Sequence, residues 1–314
     1  DVPVGSVLVT VTATDADEGL YGHMKYSLKK VSDMASNIFH LDSETGAITL
    51  LQSLDFEEGD SYDLEVQARD GGGLFDTAKI TITVTDKNDN APVIAVRSAL
   101  SEISEDAPSG TVVALLHVQD RDSGANGDVR CSLDGGVPFR LEKSFDDYYR
   151  VVTARELDRE QVSEYNVTVR AADGGSPPLQ SRAVLALRVL DVNDNAPVFA
   201  EERYSARLAE NNAAGALVLT DTPPGLIVLN VSASDADAGN NAHIIYGFGK
   251  MPTKMLQKFV VDAESGTITL QEEIDFEDMR GYTLLVEARD GGGLVAHCKV
   301  EVEVLDVNDN APEI

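Results

Sequence analysis

The sequence predicts an all-β fold of antiparallel β-sandwiches repeated in series, and three observations point to it. Short apolar runs alternate with a period of two, as half-buried strands do. No segment shows the 3.6-residue apolar stripe of an amphipathic helix. A polar stretch, Asp191-Val192-Asn193-Asp194-Asn195-Ala196-Pro197, recurs as Asp86-Lys87-Asn88-Asp89-Asn90-Ala91-Pro92 and as Asp306-Val307-Asn308-Asp309-Asn310-Ala311-Pro312. Recurrence at long spacing marks a repeat architecture.

From Gly5, Val7, Val9, Val11 and Ala13 share one face of an alternating run and Leu8, Thr10, Thr12 and Thr14 the other, until Asp15-Ala16-Asp17 ends the strand. Further strands are predicted at Ile48 to Leu51, at Tyr62, Leu64, Val66 and Ala68, and at Ile80, Ile82 and Val84. The turns between them are rich in Gly, Asp and Ser, as in a sandwich. The second repeat carries the same signals in the same order: Asp120-Arg121-Asp122, Leu157-Asp158-Arg159-Glu160 and Ala172-Asp173-Gly174 match Asp15-Ala16-Asp17, Leu54-Asp55-Phe56-Glu57 and Arg69-Asp70-Gly71 at offsets of about 105 residues. The predicted domains are residues 1–91, which lack a first strand, 92–196, a complete repeat, and 197–314.

The third repeat is about ten residues too long, because its paired aspartates stand at Asp235 and Asp237 rather than near position 225. The excess lies near residues 211–225, where two versions of one turn signal occur, Glu210 to Gly215 and Asp221 to Gly225. Residues 221–314 also align without a gap to residues 1–94. One reading is a natural loop insertion, which costs little closure entropy. The other is a chimeric junction at 220/221 that joins two related copies.

The charge balance is 25 basic against 54 acidic residues, a net charge of -29. A field of that sign repels nucleic acid and anionic membrane. With 43% apolar residues in clean alternation the chain folds rather than remaining disordered, and a folded chain this acidic calls for cations. Cys131 and Cys298 lie in different repeats, so no repeat holds a disulfide of its own; both fall in strand patterns, as apolar fillers. There is no apolar run of spanning length and no signal-peptide pattern. Since Asp1 stands in mid-motif, the chain reads as a fragment.

Acidic groups recur in each repeat at the ends of predicted strands, which a sandwich gathers at its two poles. Like charges gathered there repel unless a cation sits among them. Carboxylates with Asn and backbone carbonyls suit calcium, and no His or Cys cluster offers a zinc site. An EF-hand is excluded: the twelfth position of its loop requires Glu, and the three repeats have Tyr26, Cys131 and Tyr246 there. Gly71-Gly72-Gly73 and Gly291-Gly292-Gly293 lack a following Gly-Lys-Ser/Thr and read as turns. A glycosidase needs one acid and one base, whereas these carboxylates repeat in every domain, so no enzyme is predicted and no small-molecule substrate. Asn166 and Asn230 fit the N-glycosylation triplet and point outward by alternation.

The set Glu105-Asp106-Ala107-Pro108-Ser109-Gly110, Asp120-Arg121-Asp122, Leu157-Asp158-Arg159-Glu160, Ala172-Asp173-Gly174 and Asp191 to Pro197 resembles the extracellular repeats of the cadherin superfamily over the whole chain. Asp122 to Gly127, Ser144 to Arg150 and Gly174 to Pro178 are similar to a clustered protocadherin in its fourth repeat; residues 1–94 and 221–314 are similar to a third repeat, and 197–220 to the opening of a fifth. The resemblance implies Greek-key sandwiches with calcium, about three ions, at each junction between repeats. At the second junction it implies Glu105, Asp158, Glu160, Asp191, Asn193, Asp194 and Asn195, opposite Asp235, Asp237, Asp290 and the Asn241 carbonyl. At the first it implies Asp55, Glu57, Asp86, Asn88, Asp89 and Asn90, opposite Asp120, Asp122, Asn126 and Asp173. Half-sites are implied at Asp15, Asp17 and Asp70, and at Glu210, Asp275, Glu277, Asp306, Asn308, Asp309 and Asn310. Tyr21 replaces the Asn of positions 126 and 241, and the ten extra residues set Glu210 apart from Glu105.

The resemblance further implies the extracellular part of a single-pass plasma-membrane protein. Its expected role is calcium-dependent homophilic cell adhesion, with an identical ectodomain as partner in trans and related protocadherins in cis through repeats outside this chain. There is no Trp for a tryptophan-exchange mode. The alternative is a calcium-stiffened spacer with recognition carried elsewhere.

Overall fold

The structure, a computed structural model, describes residues 2–30, 33–210, 219–220 and 229–310. These form twenty-three strands and two six-residue helices, so the fold is all-β. The chain falls into two compact units, one of Asp1–Ala99, Val112–Val152 and Val167–Leu185, the other of Leu100–Thr111, Thr153–Asn166 and Ala186–Ile314.

In the first unit, the opening repeat has two three-stranded antiparallel sheets. One orders Val7–Thr10, Ala47–Leu50 and Phe39–Leu41; the other orders Lys25–Lys30, Ser61–Arg69 and Phe75–Thr83. The period of two sends Tyr62, Leu64 and Val66 inward against Phe39, Ile48 and Leu50, and the Tyr62 ring meets Phe39 edge-on at 5.3 Å. Burying each such side chain contributes about 1.5–3 kcal/mol. The opening strand differs from its predicted alternation. A register shift between Val7 and Val9 breaks the phase, leaving both valines exposed while Leu8, Val11 and Ala13 pack on the core. The middle repeat adds Val93–Ala99, Val112–Gln119 and Tyr148–Thr153, paired antiparallel in that order.

In the second unit, Arg203–Ala209, Val295–Leu305, Gly281–Arg289 and Ile245–Phe248 form one sheet, and Phe259–Val261 pairs with Ile268–Leu270. Leu270, Leu284, Val286 and Val300 lie wholly buried in its core. The sandwiches are not purely antiparallel. Glu102–Ser104 runs parallel to the end of Gln180–Leu190, and Arg203–Ala209 runs parallel to Val295–Leu305. The opening segment of the middle and of the third repeat therefore ends beside the close of that repeat's last strand. That register delivers Glu105 next to Asp191 and Glu210 next to Asp306: Glu105 N donates to Leu190 O and Glu210 N to Leu305 O, both at 3.1 Å.

The helices, Asp33–Ile38 and Thr253–Lys258, are absent from the sequence prediction because six residues cannot display a stripe. The extra residues near 211–225 and the 220/221 junction lie outside the described residues, except Leu219–Thr220, whose backbone pairs with Ala206–Arg207. Asn166 and Asn230 are exposed. Cys298 is buried and Cys131 half-buried; burial pushes the Cys298 thiol up to about 11. Among the described residues no helix is long and apolar enough to cross a membrane.

Candidate metal centre

Two acidic centres assemble, one wholly within each unit. In the first, the polar linker after Val84 turns onto the loops of the next repeat. Asn88 Nδ2 donates to Pro177 O at 2.9 Å and Asp173 Oδ1 at 3.3 Å; Asn90 donates through N and Nδ2 to the two oxygens of Asp122 at 3.2 and 2.6 Å. Asp86 Oδ2 accepts from Asn126 Nδ2 at 2.9 Å and Ser123 N at 3.3 Å. Asp120 Oδ1 accepts from Asp122 N at 2.9 Å, which fixes that pair. Carboxylate oxygens of Glu57, Asp89 and Asp122 lie within 4.8 Å of one another. Asp55 caps its own turn by accepting from Glu57 N at 2.9 Å.

The second centre repeats this pattern. Asn193 Nδ2 donates to Asp290 Oδ1 at 3.4 Å, Asn195 to Asp237 at 3.3 Å (N) and 2.8 Å (Nδ2), and Asn241 Nδ2 to Asp191 Oδ2 at 2.8 Å. Asp235 Oδ1 accepts from Asp237 N at 2.9 Å. Glu105, almost wholly buried, accepts from Arg159 N at 2.8 Å and Val192 N at 2.6 Å. Three overlapping groups result: Glu105, Glu160 and Asp194; Glu160, Asp191 and Asp237; and Asp235, Asp237 and Asp290. Asp158 caps its own turn, with Gln161 N at 2.9 Å.

The half-sites are built alike. Glu210 accepts from Phe276 N and Val307 N, both at 2.7 Å, and groups with Asp275 and Glu277. This is the hydrogen bonding of Glu105, so the extra residues after Glu210 do not displace its side chain. Asn310 Nδ2 donates to Glu277 and to Asp309 at 3.0 and 2.7 Å, while Asp306 is exposed. Asp15 accepts from Asp17 N at 2.8 Å and Asp70 from Leu74 N at 2.9 Å. Nothing further distinguishes Asn308 in the structure.

The chemistry of these centres is set by what remains unpaired. Buried oxygens without a hydrogen-bond partner include Glu57 Oε1, Asp86 Oδ1, Asn88 Oδ1 and Asp120 Oδ2 at the first centre, and Asn193 Oδ1, Asp235 Oδ2 and Asp290 Oδ2 at the second. A buried oxygen left unpaired costs about 1–3 kcal/mol, more when charged. Hard oxygens in this number suit calcium, and no His or Cys enters any of the groups. Burial raises the carboxyls of Glu57, Asp120, Glu160 and Asp194 above the ordinary range, and neighbouring carboxylates add to the rise. Asp55 is held below it, chiefly by a side-chain hydrogen bond with Glu57.

Three features escaped sequence reasoning. The side chains of Asn126 and Asn241, beyond any carbonyl role, tie down Asp86 and Asp191; Tyr21 has no amide to do so. Gly175 and Gly292 each lie directly against a linker asparagine, Asn88 and Asn193. Their recurrence two residues after Asp173 and Asp290 was the available signal. Arg159 directs its guanidinium at Glu160 and Asp191; a cation between two acids was visible in the sequence but not its aim.

A series of β-sandwich repeats with oxygen-only acidic centres in the loops that follow each polar linker defines the class. Residues 1–85, 100–190 and 204–305 each match the family described as Cadherin domain, and the chain belongs to the cadherin family. It is 44% identical over its whole length to human protocadherin gamma-A3 and 43% to human protocadherin gamma-A7, and it spans about a third of the length of each. Among solved structures it is similar to extracellular cadherin domains 1-5 of protocadherin gamma B2 (TM-score 0.91, 41% identity, 98% of this chain and 58% of that one). It is likewise similar to a cis-dimer of protocadherin gammaB7 EC3-6 (0.90, 42%, 100% and 72%) and to mouse cadherin-23 EC22-24 (0.82, 30%, 97% and 93%).

Proposed function

We propose that this chain is part of a cell-adhesion ectodomain whose consecutive repeats are stiffened by calcium. The observation that carries this reading is the set of unpaired buried oxygens at both centres. When bound, calcium would supply positive charge among carboxylates that otherwise repel. Glu57, Asp86, Asn88, Asp89, Asp120, Asp122 and Asp173 would hold it at the first centre. Glu105, Glu160, Asp191, Asn193, Asp194, Asp235, Asp237 and Asp290 would hold it at the second. The chain's own work is to bring these oxygens together. Asn90 and Asn195 orient Asp122 and Asp237, Asn126 and Asn241 orient Asp86 and Asp191, and the backbone N–H pair at Glu105 fixes its carboxylate.

Recognition is homophilic in this reading, with an identical ectodomain in trans. Similarity to the gamma protocadherins supports it, and the cis-dimer of protocadherin gammaB7 EC3-6 supports related chains as partners in cis. The domain limits 1–91, 92–196 and 197–314 are part of the proposal, as is glycosylation at Asn166 and Asn230. The test is bead aggregation by a full ectodomain carrying these repeats. Exchanging exposed sandwich residues of the first two repeats with those of a relative shifts partner choice, and chelator abolishes aggregation. Aggregation lost in chelator but indifferent to the exchanges assigns these repeats to a spacer; aggregation unaffected by chelator contradicts the calcium role.

A further inference from the structure

The two centres differ in one residue that no oxygen ligand accounts for. Between the acids of each Asp-x-Glu stand Phe56, Arg159 and Phe276. Phe276 packs against the core of its repeat. Arg159 turns instead into the second centre: its guanidinium pairs with Glu160 and, off the hydrogen-bond axis, with Asp191, while Nη2 donates to Ala236 O at 2.8 Å. Its side chain is only 17% exposed, and its backbone N–H is one of the two that hold Glu105. A single residue thus touches the Asp-x-Glu turn, the linker and the Asp235–Asp237 loop. At the first centre the counterpart of Arg159 is the uncharged Phe56, while exposed Arg121 acts on Asp55 through space.

We propose that Arg159 is a built-in cation of the second centre, pinning the linker 191–197 to the loop 235–238 without metal, a device the first centre lacks. The proposal rests on the calcium reading for what Arg159 competes with, not for the pinning itself. Two of the three oxygens in the group Glu160, Asp191 and Asp237 belong to its ion-pair partners. A planar fork that holds two carboxylates and a carbonyl does what a lysine point charge does less well. Without metal, the second centre keeps its geometry and the first loosens by carboxylate repulsion. With metal, Arg159 must yield its carboxylates, so calcium binds the second centre less tightly than its ligand set alone would give.

The experiment is amide hydrogen exchange on the whole chain in chelator, comparing peptides over 86–92 and 120–126 with those over 191–197 and 235–241. Exchange at the second pair is expected to be about tenfold slower, the effect of one charge-assisted hydrogen bond. Half-molar salt narrows the gap. Arg159→Gln closes it, Arg159→Lys keeps part of it, and Arg159→Gln raises calcium affinity at the second centre. Equal exchange at both centres in the unmodified chain, a measurement independent of whether any variant folds, overturns the proposal. So does an Arg159→Gln chain with undiminished protection. If calcium protects neither centre while the chelator difference stands, the calcium reading fails and the pinning survives.

Discussion

Asn193 lies so close to Gly292 that a β-carbon on the glycine would stand 2.1 Å from Asn193 Cγ. A β-carbon on Gly175 would likewise stand 2.2 Å from Asn88 Cγ. Neither glycine has a positive φ, so alanine suits the backbone and only the asparagine must give way. Gly292→Ala and Gly175→Ala each displace one linker asparagine, whose Oδ1 is among the unpaired oxygens. Overpacking of this kind costs about 1–3 kcal/mol. Calcium titration by calorimetry should show about a tenfold or greater loss of affinity confined to the altered centre.

Glu105→Ala removes the acceptor for two backbone N–H groups, Arg159 and Val192. Each N–H left buried and unpaired costs about 1–3 kcal/mol. Urea unfolding in chelator should therefore show a loss of about 2–4 kcal/mol, with Glu105→Gln intermediate because its amide oxygen still accepts one bond. Glu210→Ala should behave alike, through Phe276 and Val307.

Leu64 and Leu284 are almost wholly buried in the cores of the first and third repeats. Leu→Ala at either should cost about 2–5 kcal/mol. Calcium does not fill these cavities, so the loss, read from urea unfolding, should persist with calcium present.

Acid should stabilise the protein in chelator. The raised carboxyls of Glu57, Asp120, Glu160 and Asp194 bind protons in the folded state at a pH where the unfolded chain has released them. Stability then falls as pH rises through the folded pKa values and recovers as pH falls toward the unfolded range, about 4. Asp55, Asp42, Asp134 and Asp262 are lowered and oppose this, but only where the pH falls to the unfolded carboxylate range, about 4. Melting in chelator should be higher at pH 5.5 than at pH 7.5. With calcium the order should invert, because protons and metal compete for the same oxygens. A lower melt at pH 5.5 in chelator would show that these carboxyls carry no repulsion.

Much of this was legible in the sequence because strands and acidic loops write themselves locally. Tyr62, Leu64 and Val66 alternate as a half-buried strand must, and Asp120-x-Asp122 and Asp235-x-Asp237 place their carboxylates by the turn they form. What was not legible depends on partners distant in the chain. The inward turn of Leu8 follows from a register shift against Thr49 and Ile48. The parallel run of Arg203–Ala209 beside Val295–Leu305, which seats Glu210 despite the residues after it, is a choice of sheet that no local pattern encodes. The glycine sockets under Asn88 and Asn193 and the reach of Arg159 to the Ala236 carbonyl are contacts across 77 or more positions.

The central claim is that unpaired oxygens such as Asn88 Oδ1 and Asp290 Oδ2 await calcium. Thermal melting of the whole chain in calcium and in chelator tests it most directly. Each ion at a hundredfold excess over its Kd stabilises by about 2.7 kcal/mol, or roughly 10 °C for a domain of this size. The melt should rise by about that much or more in calcium, and magnesium, reluctant to give up its water for a many-ligand cage, should substitute poorly. An identical melt in chelator and in calcium would contradict the claim.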